Sequence, residues 1–532
     1  LRGAAGCGAT GDGNASGLKS KLVRELADAR SARGATHPTR RSNAMTNEKR
    51  KDVLKRLPQN FVFFDLETSG LSICFDQLFQ IAAIRTGQDL VETGEPRDRF
   101  SYRARRRPHI VPSAAAMLTT GLRPEDIETG LPQADVLVDA AARLRKWSPA
   151  IFCGYNSARF DLPFLSHRLF ESLEQPYLMR SAGSVHADVM RMAQAAFVLA
   201  PEALTVPTNV EGMRSFRLGP LVRANGLTFP EDSAHEALAD VRATINLARL
   251  LKARAPNVFD ETLALADKQY VFSILEAGCV ALMLRVVRGT PIVLPIAPLG
   301  VSEEDANAII CLDLTVAPDI ISAASDDELL GVDKAWPAPV FTVRANAQPL
   351  VWRYDSAMPE IERLRALLPA SLPRDELLVR CDRLLADKKL VARARDLIAA
   401  RQRARPAPQH LEERLYEGFA SRQDFMYASM FHGALPFERG PIVQFLLDQR
   451  LREHALRIMF ETHPGDLDGV NRRRLNAWRR NRVLGPIDAP WRTLAAARTE
   501  LTELSQGARN ATRVRLNAIR QYFDWIKAES DR

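Results

Sequence analysis

The sequence predicts three structured parts: an α/β layer over residues 58–256, a small β segment over 257–355 and an α-helical region over 356–532. Three observations carry that reading. From Phe61 onward, short apolar runs alternate with stretches of helical periodicity, as strands and helices of one mixed layer do. Between residues 270 and 355, brief β-rich runs are separated by Pro, Gly and Asp turns. From about Ser356 the pattern is Arg-rich, with Leu at helical spacing.

In the first part, Phe61 to Phe64 reads as a buried strand, and Leu78, Phe79, Ile81, Ala82, Ala83 and Ile84 as a second. Residues 134–147 form a helical pattern ending in basic residues, followed by the apolar strand Ala150 to Cys153. Residues 161–174 and 236–254 read as helices. In the second part, Val280 to Val287, Pro291 to Pro295, Ala308 to Leu314 and Val340 to Arg344 read as strands. Residues 1–45 are rich in Gly, Ala, Ser and Arg, and are expected to be a disordered extension or a non-native leader. Ser42-Asn43-Ala44 before Met45 reads as a cloning remnant, with Met45 the natural start.

A chain of 532 residues with 46% hydrophobic and 26% charged residues can bury a large core without staples. Its net charge of +9 favours a polyanionic partner, or a solvated Arg-rich surface. The six cysteines are irregularly spaced and form no CxxC pair, which argues against a disulfide framework or a thiolate zinc site. A reducing, cytoplasmic location is expected. No apolar run reaches the ~18 residues that span a bilayer, so no membrane partner is expected, and the chain is taken as a monomer.

Three motifs carry chemistry. In FVFFDLETSG (61–70), Asp65 and Glu67 are two apart at a strand end, so both project from one face. Two such carboxylates repel unless a cation sits between them, and hard oxygen ligands suit Mg²⁺ or Mn²⁺. The bland alternative is a solvated strand end. Gly70 then permits close backbone approach to a ligand. In GYNSARFDLPFL (154–165), Asp161 stands among apolar residues at a helix start, as a cap or as a metal ligand. Asn156 and Arg159 are candidates for holding a phosphate or sugar, against a turn Asn and a surface Arg. In AHEALADVRATINLARLL (234–251), His235 and Asp240 are five apart. On a regular helix they would be turned about 140° from each other, so His235 belongs on the segment before the helix. The order DxE, NxxxFD, HxxxxD weighs more than any single match.

At these residues the chain resembles the DEDDh exonuclease superfamily. The resemblance narrows to the bacterial exodeoxyribonuclease I family at FDLETSG with FQIAAIRT (79–86), LTTGLRPEDI (118–127), GYNSARFD (154–161), SFRLGPLVRANGL (215–227) and SAHEALADVRATI (233–245). A further echo is LYEGFASRQD (415–424). The resemblance implies a ribonuclease H-like exonuclease domain, an SH3-like β domain and a C-terminal helical domain. It implies processive 3′→5′ degradation of single-stranded DNA to 5′-mononucleotides, in DNA repair and recombination. It also implies binding of the acidic, Phe-ended tail of single-stranded DNA-binding protein. Asp65, Glu67, Asp161 and Asp240 would then hold two Mg²⁺ ions, with Mn²⁺ able to substitute, and His235 would be the general base. Glu67 would also orient the 3′-hydroxyl, and Arg217 would contact the departing nucleotide or, alternatively, make a surface salt bridge. The family commonly has Glu after SFRL, where this chain has Gly219, and the loop around 180–212 looks idiosyncratic.

Two basic clusters are candidates for the DNA path or the acidic tail. One is Arg472, Arg473, Arg474, Arg479, Arg480 and Arg482 around Trp478, and the other is residues 103–107. A solvated helix face is the alternative. Two rival functions remain at this point: an oligoribonuclease-like RNA exonuclease, and a non-catalytic single-stranded DNA-binding scaffold.

Overall fold

A computed structural model describes residues 41–228, 236–332, 338–506 and 509–531. A helix at Arg41–Arg56 leads into a five-stranded mixed sheet. Its strands are β1 (Phe61–Thr68), β2 (Leu78–Thr86), β3 (Arg99–Arg103), β4 (Ile151–Gly154) and β5 (Val185–Asp188), in the order β3-β2-β1-β4-β5. β2 pairs antiparallel with β1 and β3, while β4 runs parallel to β1 and to β5. Parallel neighbours need crossovers, and helices supply them.

The apolar residues of β1 divide by parity. Val62, Phe64 and Leu66 face helix α1 (Gln133–Trp147), packing with its Val136, Leu137, Ala140 and Leu144. Phe61 and Phe63 face the opposite core, shared with α3 (Val189–Leu199) and α4 (Ala237–Arg254). The run 61–64 therefore sits between helices on both faces, which explains its unbroken hydrophobicity. Helix α2 (Asp161–Glu171) follows β4 and packs beside α1.

β3 and β5 were not expected. β3 reads RFSYR and alternates polar with apolar, and β5 is a four-residue edge strand. The segment 180–212 is not the loop the sequence suggested, since it contains β5 and α3. Asp188 caps α3 by accepting from the Met190 amide, and the Ala-rich run that follows is a good helix former.

The second sheet is antiparallel throughout, in the order β10-β6-β7-β8-β9. Its strands are β6 (Ala281–Val287), β7 (Thr290–Val301), β8 (Ala308–Asp313), β9 (Val340–Arg344) and β10 (Val351–Arg353). β7 is much longer than the expected 291–295, because a register shift between Pro298 and Gly300 carries it past its last proline. Leu282, Leu284, Ile296 and Trp352 join the same core as Phe61 and Phe63, so the two sheets are packed on one apolar body.

The helical region closes on the first domain. Val483, Leu494, Leu501 and Phe523 pack on Phe79, Val111 and Met117. Buried ion pairs reinforce that contact, and they correct the reading of the basic clusters. Arg106 pairs with Glu128 and Glu529, and Arg107 with Glu171 at 2.9 Å and Glu461 at 2.8 Å. Arg482 is buried against Glu412 and Trp491. Trp478 is covered by His109 and by the Arg457 guanidinium, so it is not an open platform for a base. Arg472, Arg473 and Arg480 remain exposed, while Arg474 pairs with Glu453. Among the described residues no helix is long and apolar enough to cross a membrane.

Candidate active site

Asp65 and Glu67 continue the parity of Phe61 and Phe63, so both carboxylates emerge on the α4 face of β1. The last pair between β1 and β4 is Phe63 with Cys153, so the two acids lie past the end of β4, where the sheet opens. Openings at strand ends are where α/β sheets commonly bind ligands. α4 packs its Val241 and Ile245 on that face and brings Asp240, in its first turn, to the two acids. Carboxylate oxygens of Asp65, Glu67 and Asp240 lie within 4.8 Å of one another.

Asp161 is the first residue of α2, with Phe160 in the capping position and making no side-chain cap. Its charge is the strongest single charge acting on Asp65. Asp65, Glu67 and Asp240 therefore form one cluster, and Asp161 lies near enough for its charge to act on Asp65 and Glu67. Burial, then the charges of Asp161, Glu67 and Asp240, hold the Asp65 carboxyl well above the usual range. Burial, then Asp240 and Asp161, push Glu67 up to about 9. Burial also raises Asp161 to about 7, with Asp188 adding to the rise. Repulsion of this kind is relieved by protons or by a cation, and an all-oxygen donor set fits a hard divalent ion.

The loops around the acids are tightly built. After β1, Ser69 donates to Asp76 at 2.7 Å and the Ser72 amide donates to the same carboxylate at 2.8 Å. The close approach at Gly70 is to that carboxylate and not to a ligand, since a Cβ there would lie 2.5 Å from Asp76 Oδ2. Arg168 of α2 donates to the carbonyls of Ile73, Cys74 and Asp76, fixing the loop from below. After β4 the chain folds back over Gly154, where a Cβ would be 2.5 Å from Ser157. Asn156 is left-handed there, with φ 58°.

Asn156 and Arg159 are exposed on this loop and line a cavity of about 900 Å³ between this loop, α3 and the second sheet. Seven arginines line it, among them Arg191 of α3, Arg285 of β6, Arg344 of β9 and Arg401, and among its described lining residues none is acidic. Arg159 stands close enough to Arg191 and Arg285 to lower the pKa of both, after burial. Arg217 is exposed at the start of the helix Leu218–Ala224, and Tyr155 donates its hydroxyl to the neighbouring Phe216 carbonyl. His235 lies outside the described residues. α4 begins at Ala237, two residues after it.

Sequence reasoning missed Asp188, a buried carboxylate that accepts the amides of Asn156 and Ala158. Its signal was faint: one acid after the short stretch Val185-His186-Ala187, before a helix. It also missed most of the cavity arginines, which are scattered singly over about 250 residues.

Residues 62–248 match the family model described as Exonuclease. The chain is 26% identical to exodeoxyribonuclease I of Haemophilus influenzae over 416 residues, covering 74% of this chain and 86% of that protein. It is 26% identical to exodeoxyribonuclease I of Escherichia coli K12 over 440 residues, covering 78% and 88%. The fold matches E. coli Exonuclease I in complex with a dT13 oligonucleotide, with TM-score 0.75 and 24% identity, over 88% of this chain and 100% of that one. An SSB/Exonuclease I structure in complex with the inhibitor CFAM matches with TM-score 0.74 and 24% identity, over 88% and 99%.

Proposed function

We propose that this chain, a nuclease that carries an exonuclease domain and resembles exodeoxyribonuclease I along most of its length, degrades single-stranded DNA from the 3′ end to 5′-mononucleotides. The observation that carries the proposal is the junction of two features. Repelling carboxylates from the end of β1 and from the first turns of α2 and α4 meet, and an arginine-lined cavity opens beside the loop that leads into α2. The first suits divalent ions, and the second suits a phosphate backbone.

Asp65, Glu67, Asp161 and Asp240 would hold two Mg²⁺ ions, or Mn²⁺ in their place. Bound there, such a pair supplies stabilisation of the attacking and leaving oxygens and lowers the pKa of water. His235 would accept the proton of the attacking water, for which an imidazole, with an unperturbed pKa of ~6.5, is suited. Glu67 orients the terminal 3′-hydroxyl. Asn156 and Arg159 hold the strand behind the scissile phosphate, and Arg217 contacts the nucleotide being removed. Arginines along the cavity bind backbone phosphates without reading sequence. The acidic, Phe-ended tail of single-stranded DNA-binding protein is the proposed protein partner, consistent with the SSB/Exonuclease I structure among the fold's neighbours.

Rates on 5′-labelled single-stranded DNA and RNA of one sequence, with Mg²⁺ and with EDTA, test the proposal. A metal-dependent ladder shortening from the 3′ end, faster on DNA, is expected. Faster RNA cleavage would favour the oligoribonuclease-like reading, and metal-dependent binding without shortening would favour the scaffold.

A further inference from the structure

We infer that Asp188 and Gln348 are positioning residues through which the second sheet holds the Asp161 loop in its working shape. The inference rests on the proposed role of Asp161 as a metal ligand.

The loop joining β4 to α2 needs outside support, because it reverses over Gly154 with Asn156 left-handed. Asp188 supplies that support from the end of β5, where it is fully buried. One carboxylate oxygen accepts the Asn156 amide at 2.9 Å and the Met190 amide at 3.0 Å. The other accepts the Ala158 amide at 3.1 Å. Ser157 between them meets His186, also of β5, at 3.0 Å. The loop then passes straight into α2, with the Leu162 amide donating to the Ser157 carbonyl at 2.9 Å. Asp161 is thus bracketed by bonds that trace back to β5.

β5 is an edge strand of four residues, and its end is held from the second sheet. The Asp188 amide donates to the Gln348 side-chain oxygen at 2.6 Å. Gln348 lies between β9 and β10, 2% exposed and left-handed at φ 48°. Its side-chain nitrogen donates to the Thr262 carbonyl at 2.7 Å, and its own carbonyl accepts from Arg191 at 2.8 Å. Both ends of the side chain and the main-chain carbonyl are therefore committed. Arg191 also lines the cavity, so one residue joins the second sheet, the cavity wall and the Asp188 anchor. A group that only filled space would not require this set of directed bonds. Outer-shell partners of metal ligands usually matter for affinity and rate.

The test uses the full chain with Gln348→Met, which keeps bulk and removes both side-chain hydrogen bonds. Asp188→Asn is the second variant, placing an amide where a carboxylate met backbone donors. Four quantities are measured: kcat and KM on a single-stranded oligodeoxynucleotide, the Mg²⁺ concentration for half-maximal rate, calorimetric Mn²⁺ binding without DNA, and the thermal midpoint. The expected result is a fall in kcat and in Mn²⁺ affinity of about tenfold or more, with KM little changed. A purely structural role would lower the thermal midpoint and leave kcat and Mn²⁺ affinity of the folded protein unchanged, and that result overturns the inference. If Gln348→Met does not fold, Asp188→Asn decides by the same criteria. Asp161→Asn separates the two levels. If it stays active, the site reading fails and the inference with it. If it is inactive while both positioning variants match wild type, the inference alone fails.

Discussion

Glu67→Gln is expected to stabilise the metal-free protein at alkaline pH while abolishing its activity. Glu67 is buried beside Asp240 and Asp161, and its carboxyl is pushed from 4.5 up to about 9. The sign follows from linkage. The folded state binds the proton more tightly than the unfolded state, so the stability this group contributes is complete below 4.5 and is lost as pH rises towards about 9. Each unit of such a shift is worth about 1.4 kcal/mol. Counting only two units of that shift, the cost of keeping this buried carboxyl protonated at pH 8 amounts to about 3 kcal/mol, which Gln avoids, enough to raise the thermal midpoint by several degrees. The assay is thermal unfolding of wild type and Glu67→Gln in EDTA at pH 5 and pH 8, repeated with Mg²⁺. The gain from the substitution should be larger at pH 8 than at pH 5. Mg²⁺ should stabilise wild type, more at pH 8, and should do much less for the variant. A variant that is less stable than wild type in EDTA at pH 8, or wild type indifferent to Mg²⁺, would refute the reasoning.

Other consequences are directly measurable. Arg107→Met would remove the cation shared by buried Glu171, which keeps Arg168, and by half-buried Glu461, and should cost about 3 kcal/mol in thermal or denaturant unfolding. The salt dependence of its DNA binding should match wild type, because Arg107 is buried. Arg285→Ala, in the cavity, should do the reverse: little change in stability, and a shallower slope of log affinity against log salt, by about one phosphate contact. His235→Ala should lower turnover at neutral pH while calorimetric Mn²⁺ binding is retained.

Much of the site was legible because its chemistry is written locally. Asp65 and Glu67 share a strand face by simple alternation, and the apolar residues before them announce the strand. Asp240 was legible as an acid in the first turn of a strongly patterned helix, and the helix start at Ala237 agrees with keeping His235 off it. What was not legible depends on partners distant in sequence. Arg107 and Arg482 read as surface charge because nothing nearby in the chain reveals Glu461 or Glu412 as their buried partners. Trp478 read as a stacking platform because its cover, His109, lies far away in the sequence. Gln348 lies 160 residues from Asp188 and follows no period that marks it. β7 was read short because prolines usually end strands, and here Pro295 stays in the ladder opposite Leu282 while a bulge follows Pro298. The resemblance supplied the domain order, and the domain limits near 256 and 355 remain our proposal, since the apolar core itself runs on from the first sheet into the second.

The most direct test of the account is release of mononucleotide from a 3′-labelled single-stranded DNA by wild type and Asp65→Ala, side by side, in Mg²⁺ and in EDTA. The account predicts prompt release by wild type in Mg²⁺ alone, none in EDTA, and none by a folded Asp65→Ala protein. Full activity of purified Asp65→Ala, or release by wild type in EDTA, would contradict it.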